Sequence, residues 1–213
     1  MNPYYNAIAA LNAAQTPYVV IGGFALIMHG ANRFTPDINV VVDFSGIDRV
    51  IASLRRLGLT GDPKYPEAGL ANLDTRDAWA NSGQRFYKFQ DQQLPTFSLD
   101  IALNPPLSLA ELLADAVTLK LGEEKTKICS VQKLLVMKAK ANRAQDKMDL
   151  ASLELIRRLP AIGSRALTDA DIPAGLDLPT AQGVRDFQML APDDKLDWLK
   201  NMLTAMGHFC ILR

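Results

Sequence analysis

The sequence predicts an α/β fold in which a mixed-sheet domain is followed by a mainly helical C-terminal region. Residues 18–42 give the first evidence, because an apolar strand, a Gly-Gly turn, a short helix and a second apolar strand follow one another. The second observation is that apolar residues after Pro106 recur mainly at helical spacing. We therefore expect an α/β domain over residues 1–106 and a helical region over residues 107–213.

The individual elements follow from hydrophobic periodicity and from the residues that begin or end helices and strands. The predicted strands cover residues 17–21, 38–42, 85–90 and 96–103, and the last two are expected to form a hairpin. The predicted helices cover residues 3–14, 24–29, 45–57, 73–79, 108–114, 130–141, 146–159 and 192–206. Gly207 is expected to end the last helix, and residues 162–182 predict a loop because proline, glycine and aspartate are frequent there.

Composition limits the classes of function. Lys plus Arg and Asp plus Glu both number 23, so no overall charge indicates a nucleic-acid or membrane partner, although a local basic patch would suffice for an RNA end. With only two cysteines, Cys129 and Cys210, we expect reduced thiols and a cytoplasmic protein. The N-terminus lacks the pattern of a secretory signal, and no apolar stretch is long enough to predict a membrane span.

The Gly-Gly turn and the strand after it carry the first candidate site residues. Glycines before a helix let backbone N–H groups approach an anion such as a phosphate, which makes Gly22 and Gly23 candidates for phosphate binding. Asp37 and Asn39 stand two residues apart on the next strand, so their side chains point to the same face. The sequence thus places a phosphate cradle near a polar pair that can bind a metal.

Asp100 extends this candidate site to a later strand. An ionised aspartate inside a buried strand is costly unless it is paired or binds a cation. One hypothesis is that Asp37, Asn39 and Asp100 meet as ligands at the ends of their strands. The alternative stays open: Asp37 caps a turn after Pro36, and Asp100 pairs with an arginine such as Arg33.

A series of short motifs around the Gly-Gly turn carries a family resemblance. It comprises Gly22-Gly23-Phe24-Ala25, His29-Gly30, Arg33, Thr35 and Asp37-Ile38-Asn39, with Asp100 on a later strand. This series resembles the nucleotidyltransferase superfamily of the DNA polymerase β type. Within the superfamily it is most similar to small bacterial minimal nucleotidyltransferases and to abortive-infection toxins of toxin–antitoxin pairs. The resemblance covers approximately residues 18–155.

The resemblance implies a metal-dependent transfer reaction. A nucleoside monophosphate would move from an NTP to a hydroxyl of RNA, protein or a small molecule, with pyrophosphate leaving after attack on the α-phosphorus. Asp37 and Asp100 would be the catalytic acids, and Asp37, Asn39 and Asp100 would hold Mg²⁺ or Mn²⁺. Asp37 and Asp100 match the superfamily pattern, whereas Asn39 stands where the pattern has a second aspartate.

The helical segment after the α/β domain contributes further nucleotide-binding candidates by the same resemblance. Lys138 is implied to contact the nucleotide together with Gly22, Gly23 and Asp149, the alternative for Lys138 being a solvated lysine on a helix surface. Asp146 and Asp149 share a helix face, and Asp146 is expected to cap the helix. An ion pair from Arg143 to either acid is also expected.

Asn39 defines the alternative function. Replacing a carboxylate with an amide removes one negative charge and one anionic ligand oxygen from a metal site. The second hypothesis is therefore a catalytically weakened or inactive relative, which binds nucleotide or pairs with a cognate toxin or antitoxin protein. Arg76 and Trp79 are candidates for lining an acceptor site, with core packing as the alternative for Trp79.

Overall fold

A seven-stranded mixed sheet forms the centre of the part of the chain that the computed structural model describes. That part comprises residues 2–141 and 144–211, and the side chains of 144 and 207–211 lie outside it. The strand order is β3-β4-β5-β2-β1-β7-β6. The strands are β1 (Tyr18–Ile21), β2 (Asp37–Val42), β3 (Leu59–Gly61), β4 (Phe86–Asp91), β5 (Ser98–Ala102), β6 (Val117–Leu121) and β7 (Glu124–Ile128).

Nine α-helices accompany the sheet within the described ranges. They are α1 (Pro3–Ala13), α2 (Gly22–His29), α3 (Ile47–Arg56), α4 (Leu73–Asn81), α5 (Leu109–Leu113), α6 (Val131–Ala141), α7 (Ala144–Ile162), α8 (Leu178–Gln188) and α9 (Pro192–Ile211). The predicted fold class is confirmed: a mixed sheet with helices precedes a mainly helical C-terminal region.

The first strand–turn–helix unit brings the Gly-Gly turn to the edge of a cleft. β1 is almost wholly apolar and buried, and it runs antiparallel to β2. Gly22 follows it with φ +68, a left-handed backbone conformation that other residues adopt only with strain. α2 begins there without a capping side chain at its N-terminus, and Gly30 ends it with φ +116. The first-turn N–H groups of α2 are therefore available to a ligand.

The apolar face of the sheet packs against the N-terminal helices. Alternate residues of the central strands β2 and β5, such as Ile38 and Leu99, are fully buried. Tyr4 of α1 stacks on Phe24 of α2, with ring centroids 5.7 Å apart, and meets the edge of Phe97 at 5.1 Å. This packing leaves the opposite face of β2 and β5 free to carry polar residues.

The β6–β7 hairpin lies in a region for which only helices were predicted. Its strands are partly exposed and rich in lysine and threonine, so they lack the apolar run of a buried strand. Gly122 turns the chain between them with φ +55. β7 pairs in parallel with β1, so the sheet extends past residue 106, and the division into two domains at that residue stays a prediction.

Two expectations about the C-terminal helices were wrong. α9 continues through Gly207 to Ile211, and α8 begins at Leu178, inside the predicted loop. The Asp177 carboxylate accepts a hydrogen bond from the Thr180 N–H at 2.8 Å and so caps α8, which explains a helix start among residues that otherwise favour loops. Searching the described residues for a helix long and apolar enough to cross a membrane finds none.

Candidate active site

Three rows of side chains cross one face of the sheet and form the candidate site. The strand register pairs Asp37 with Ser98 and Asn39 with Asp100 on β2 and β5, which run parallel. On the other side of β5, Lys88 of β4 pairs with Asp100. From one end of the face to the other, the rows are Gln90–Ser98–Asp37, then Lys88–Asp100–Asn39, then Phe86–Ala102. The register therefore places Asp37, Asn39 and Asp100 on the same face of adjacent strands.

The Asp37 carboxylate is held by two neighbouring side chains. The Thr35 hydroxyl donates a short hydrogen bond to Asp37 Oδ1. The Asn39 amide donates from Nδ2 to Asp37 Oδ2 at 2.5 Å. Asn39 thus acts as a hydrogen-bond donor to Asp37, where a second carboxylate would repel it. The alternative was that Asp37 caps the turn after Pro36. Among the described residues, the Asp37 carboxylate contacts the side chains of Thr35 and Asn39 and accepts no hydrogen bond from that turn.

Asp100 is a buried acid with an unsatisfied oxygen. Its side chain is almost fully buried, and Oδ1 has no hydrogen-bond partner among the described residues. Burial, followed by the negative charge of Asp37, raises the pKa of Asp100 from 3.8 to about 6, and Lys88 partly offsets this rise. An oxygen in this state is suited to accept a proton or a cation.

The raised pKa of Asp100 predicts a loss of stability with rising pH. From about pH 4 to about pH 6 the unfolded chain has ionised this acid while the folded chain still holds the proton, so the free energy of unfolding falls as pH rises. The cost reaches about 2–3 kcal/mol above pH 6 in chelator, and Asp100→Asn should remove it. Urea unfolding of both proteins at several pH values checks this, and parallel pH profiles would contradict it.

The Gly-Gly turn is packed directly against these residues. A Cβ at Gly22 would lie 3.1 Å from the Asn39 side chain, in addition to the strain of its positive φ. A Cβ at Gly23 would lie 2.7 Å from the hydroxyl oxygen of Thr35. Any larger residue at Gly23 would therefore displace the threonine that holds Asp37. The turn can lie this close to Asn39 and Thr35 because both positions lack a side chain.

A buried ion cluster joins the helical region to the cleft. Lys138 Nζ of α6 donates to Asp146 Oδ1 at 2.9 Å and to Asp149 Oδ2 at 2.6 Å, both on α7. The same Asp149 oxygen accepts from Arg33 Nη1 at 2.6 Å. Arg33 thus pairs with Asp149, and the alternative in which Arg33 pairs with Asp100 does not hold. Arg143, expected to pair with these acids, lies outside the described residues.

Loss of one acid from this cluster should cost more than loss of a surface acid on the same helix. Asp149→Asn leaves Arg33 without a carboxylate partner among the described residues and removes one of the two partners of Lys138. We expect it to lower the free energy of unfolding by about 3 kcal/mol. Glu154→Gln, which breaks exposed pairs on α7, should cost less than about 1 kcal/mol. Urea unfolding measures both, and equal losses would contradict the prediction.

Two compartments open on this face of the sheet. The first, of about 370 Å³, is lined by Gly23, Arg33, Asp37 and Lys88 among others, and we call it the polar cleft. The second, of about 480 Å³, lies between Phe86 and Ala102 of the sheet and Met137 of α6, and we call it the apolar compartment. The residues that line both are Gly22, Asn39 and Lys138.

Arg76 and Trp79 line neither compartment. Arg76 is buried, donates to the Leu70 carbonyl at 2.5 Å and lies 3.9 Å above the Phe44 ring. Trp79 packs between the rings of Tyr65 and Tyr87. Both residues therefore stabilise the segment before β4, and the core alternative holds for Trp79.

The donor set fits a divalent cation only in part. Asp37 and Asp100 offer carboxylates on one face, and the unsatisfied Asp100 oxygen suits a cation. No group of three or more His, Cys, Asp or Glu side chains suited to a metal occurs within the described residues. Asn39 must complete the set, and its amide now donates to Asp37, whereas an oxygen is needed to bind Mg²⁺.

Sequence reasoning missed several residues of the polar cleft. Lys88 and Thr35 were not singled out for chemistry, and Arg33 was assigned a different partner. For Lys88 a signal was present: Lys88 and Gln90 alternate with the apolar residues Tyr87 and Phe89, which is typical of a strand with one buried face and one functional or solvated face. The partner of Arg33 lies 116 residues away, so no local pattern indicates it.

Comparison with known proteins finds similarity between this chain and several solved structures. No protein-family model matches the chain, and no curated protein matches it. The chain is similar to the lincomycin-bound lincosamide antibiotic adenylyltransferase LnuA, with 14% identity and a TM-score of 0.46, covering 72% of this chain and 95% of that one. It is also similar to the antibiotic-resistance factor ANT(2'')-Ia, with 13% identity and a TM-score of 0.44, covering 99% and 96%. At these values the assignment of the site rests on its own geometry.

Proposed function

We propose that this protein transfers a nucleoside monophosphate from an NTP to a hydroxyl acceptor in a reaction that depends on Mg²⁺ or Mn²⁺. The observation that carries the proposal is the juxtaposition of Asp37, Asn39 and Asp100 on one sheet face, beside the Gly-Gly turn that starts α2. A divalent ion held there would neutralise phosphate charge and favour attack by the hydroxyl.

The phosphates are proposed to bind in the polar cleft. The N–H groups at the start of α2, near Gly22 and Gly23, have no capping side chain and suit an anion. Arg33, Lys88 and Lys138 bring three positive charges to the same cleft. Because Lys138 and Arg33 both bind the Asp149 carboxylate, we propose that Asp149 orients these cations toward the nucleotide rather than contacting it.

Each substrate is oriented by groups of the chain itself. Asp37, fixed by Thr35 and Asn39, presents its carboxylate in the polar cleft, next to Asn39 at the boundary of the two compartments. The acceptor hydroxyl approaches from that boundary, its oxygen bonds to the α-phosphorus, and the bond to pyrophosphate breaks. Lys138 of α6 is buried against α7 and closes the cleft on the side of the helical region.

A label-transfer assay tests the proposal. Each of the four NTPs, labelled at the α-phosphate, is incubated with the protein and Mg²⁺ or Mn²⁺, and transfer to total RNA, to protein and to small hydroxyl compounds is followed. Transfer that chelator abolishes is the expected result. The proposal is overturned if the protein neither binds nucleotide nor transfers label under any of these conditions.

A second candidate is a protein that binds nucleotide without transferring it, for example as a partner in a toxin–antitoxin pair. The hydrogen bond from Asn39 to Asp37 favours this candidate, because it occupies a carboxylate oxygen that a metal would bind. Titration calorimetry with NTP, with and without Mg²⁺, separates the two: binding without any transfer to the acceptors supports the second candidate.

A further inference from the structure

The apolar compartment is lined by positively charged side chains that have no role in the proposed binding of the phosphates, apart from Lys138. Its lining includes the cations Arg85, Lys138 and Lys140, and none of its lining residues is acidic. Arg85 is exposed and forms no ion pair with a carboxylate of the described residues. Lys140 reaches the Pro106 carbonyl at 3.5 Å. Two cations at this compartment are thus available to a ligand.

The walls of the compartment are apolar on both sides. Phe86 and Ala102 form the third row of the sheet face, next to the row that holds Asp100. Leu134 and Met137 of α6 face them across the space. The volume of about 480 Å³ falls within the range of roughly 300–1,000 Å³ that is typical of small-molecule sites. The compartment therefore suits a ligand that combines an apolar body with a negative charge.

We infer that the apolar compartment binds the acceptor of the transfer, and that this acceptor is an anionic hydroxyl compound with an apolar or aromatic body. The inference rests on the proposed function, which needs a second substrate beside the carboxylates. Gly22 and Asn39 border both compartments, so a hydroxyl at the inner end of this one meets the nucleotide in the polar cleft. The lysines and the arginine would repel a polycationic acceptor.

The chemistry of the step balances without a further reactant. The acceptor hydroxyl loses its proton to water, and its oxygen forms a bond to the α-phosphorus of the NTP. The bond between that phosphorus and the pyrophosphate oxygen breaks, and pyrophosphate leaves with the electron pair. No oxidation or reduction is involved.

Three small probes test the charge preference by titration calorimetry in chelator. Uridine 5′-monophosphate and uridine share the same nucleoside body with an aromatic base and differ in the phosphate, and kanamycin is a polycation. Tripolyphosphate is present at saturation, so that the polar cleft does not take the phosphate of the first probe. We expect the monophosphate to bind at least about fivefold more tightly than uridine, and kanamycin more weakly than both.

Two charge-reversing variants test whether the preference for the monophosphate arises in the apolar compartment. Arg85→Glu combined with Lys140→Glu should remove the advantage of the monophosphate and leave tripolyphosphate binding unchanged, since both residues are exposed and lie outside the polar cleft. The matched control is Lys120→Glu on β6, which should behave as the parent. Equal binding of monophosphate and uridine, tighter binding of kanamycin, or no effect of the double variant would overturn the inference. If tripolyphosphate does not bind, that result counts against the proposed function instead.

Discussion

Replacing Asp37 with asparagine is expected to lower nucleotidyl transfer on the order of 10²–10³-fold. Thr35 and Asn39 both donate hydrogen bonds to the Asp37 carboxylate and fix its position. Asparagine keeps the shape and removes the charge that both a metal and the developing transition state require. Initial rates of label transfer at saturating NTP measure the effect.

The control for this variant removes a carboxylate elsewhere. Asp48 is exposed in the first turn of α3. The variant Asp48→Asn should therefore leave the transfer rate unchanged. Both variants should still bind tripolyphosphate, which shows that the cleft is intact. A rate loss for Asp37→Asn no larger than that for Asp48→Asn would contradict the role of Asp37.

Asn39→Asp is expected to strengthen Mg²⁺-dependent NTP binding by on the order of tenfold, because it adds a charged oxygen beside Asp37 on the same strand face. In chelator the variant should be less stable by about 1–2 kcal/mol, since three neighbouring carboxylates repel one another and Asp37 loses its amide donor. Calorimetry with and without Mg²⁺, together with urea unfolding, measures both effects.

The size of the site favours this particular exchange. Gly22 leaves only 3.1 Å between its missing Cβ and the Asn39 side chain, so the replacement must have the same volume, and aspartate does. Asn201→Asp on the exposed face of α9 is the matched control and should respond to Mg²⁺ as the parent does. Equal responses to Mg²⁺ in the parent and in Asn39→Asp would exclude position 39 as a ligand.

The elements that local sequence determines were predictable. The strand, Gly-Gly turn and helix of residues 18–29 follow from apolar periodicity and from glycines at a turn, and each lies within a few residues of its predicted position. The β6–β7 hairpin was not predictable by the same argument, because its lysines and threonines interrupt any apolar run. Its place in the sheet depends on parallel pairing of Ile128 with Val20, more than a hundred residues away.

For the candidate site, the residue types were predictable and their partners were not. Asp37 and Asn39 share a face because of strand alternation, which the sequence contains. The alignment of Asn39 with Asp100 depends on the register of two strands joined by a long connection. The contact of Asp149 with nucleotide stays a prediction, and its ion pairs with Lys138 and Arg33 were not foreseen. Such pairings depend on tertiary packing.

The position of β7 also bears on how this chain can be divided. β1 is hydrogen-bonded to β2 on one side and to the β7 segment on the other, where the Cys129 N–H donates to the Val20 carbonyl at 2.8 Å. A fragment that ends at residue 106 would turn β1 into an open edge strand with buried valines and unpaired backbone groups. Exposed apolar edges promote association between chains, so such a fragment should aggregate rather than fold as an isolated unit.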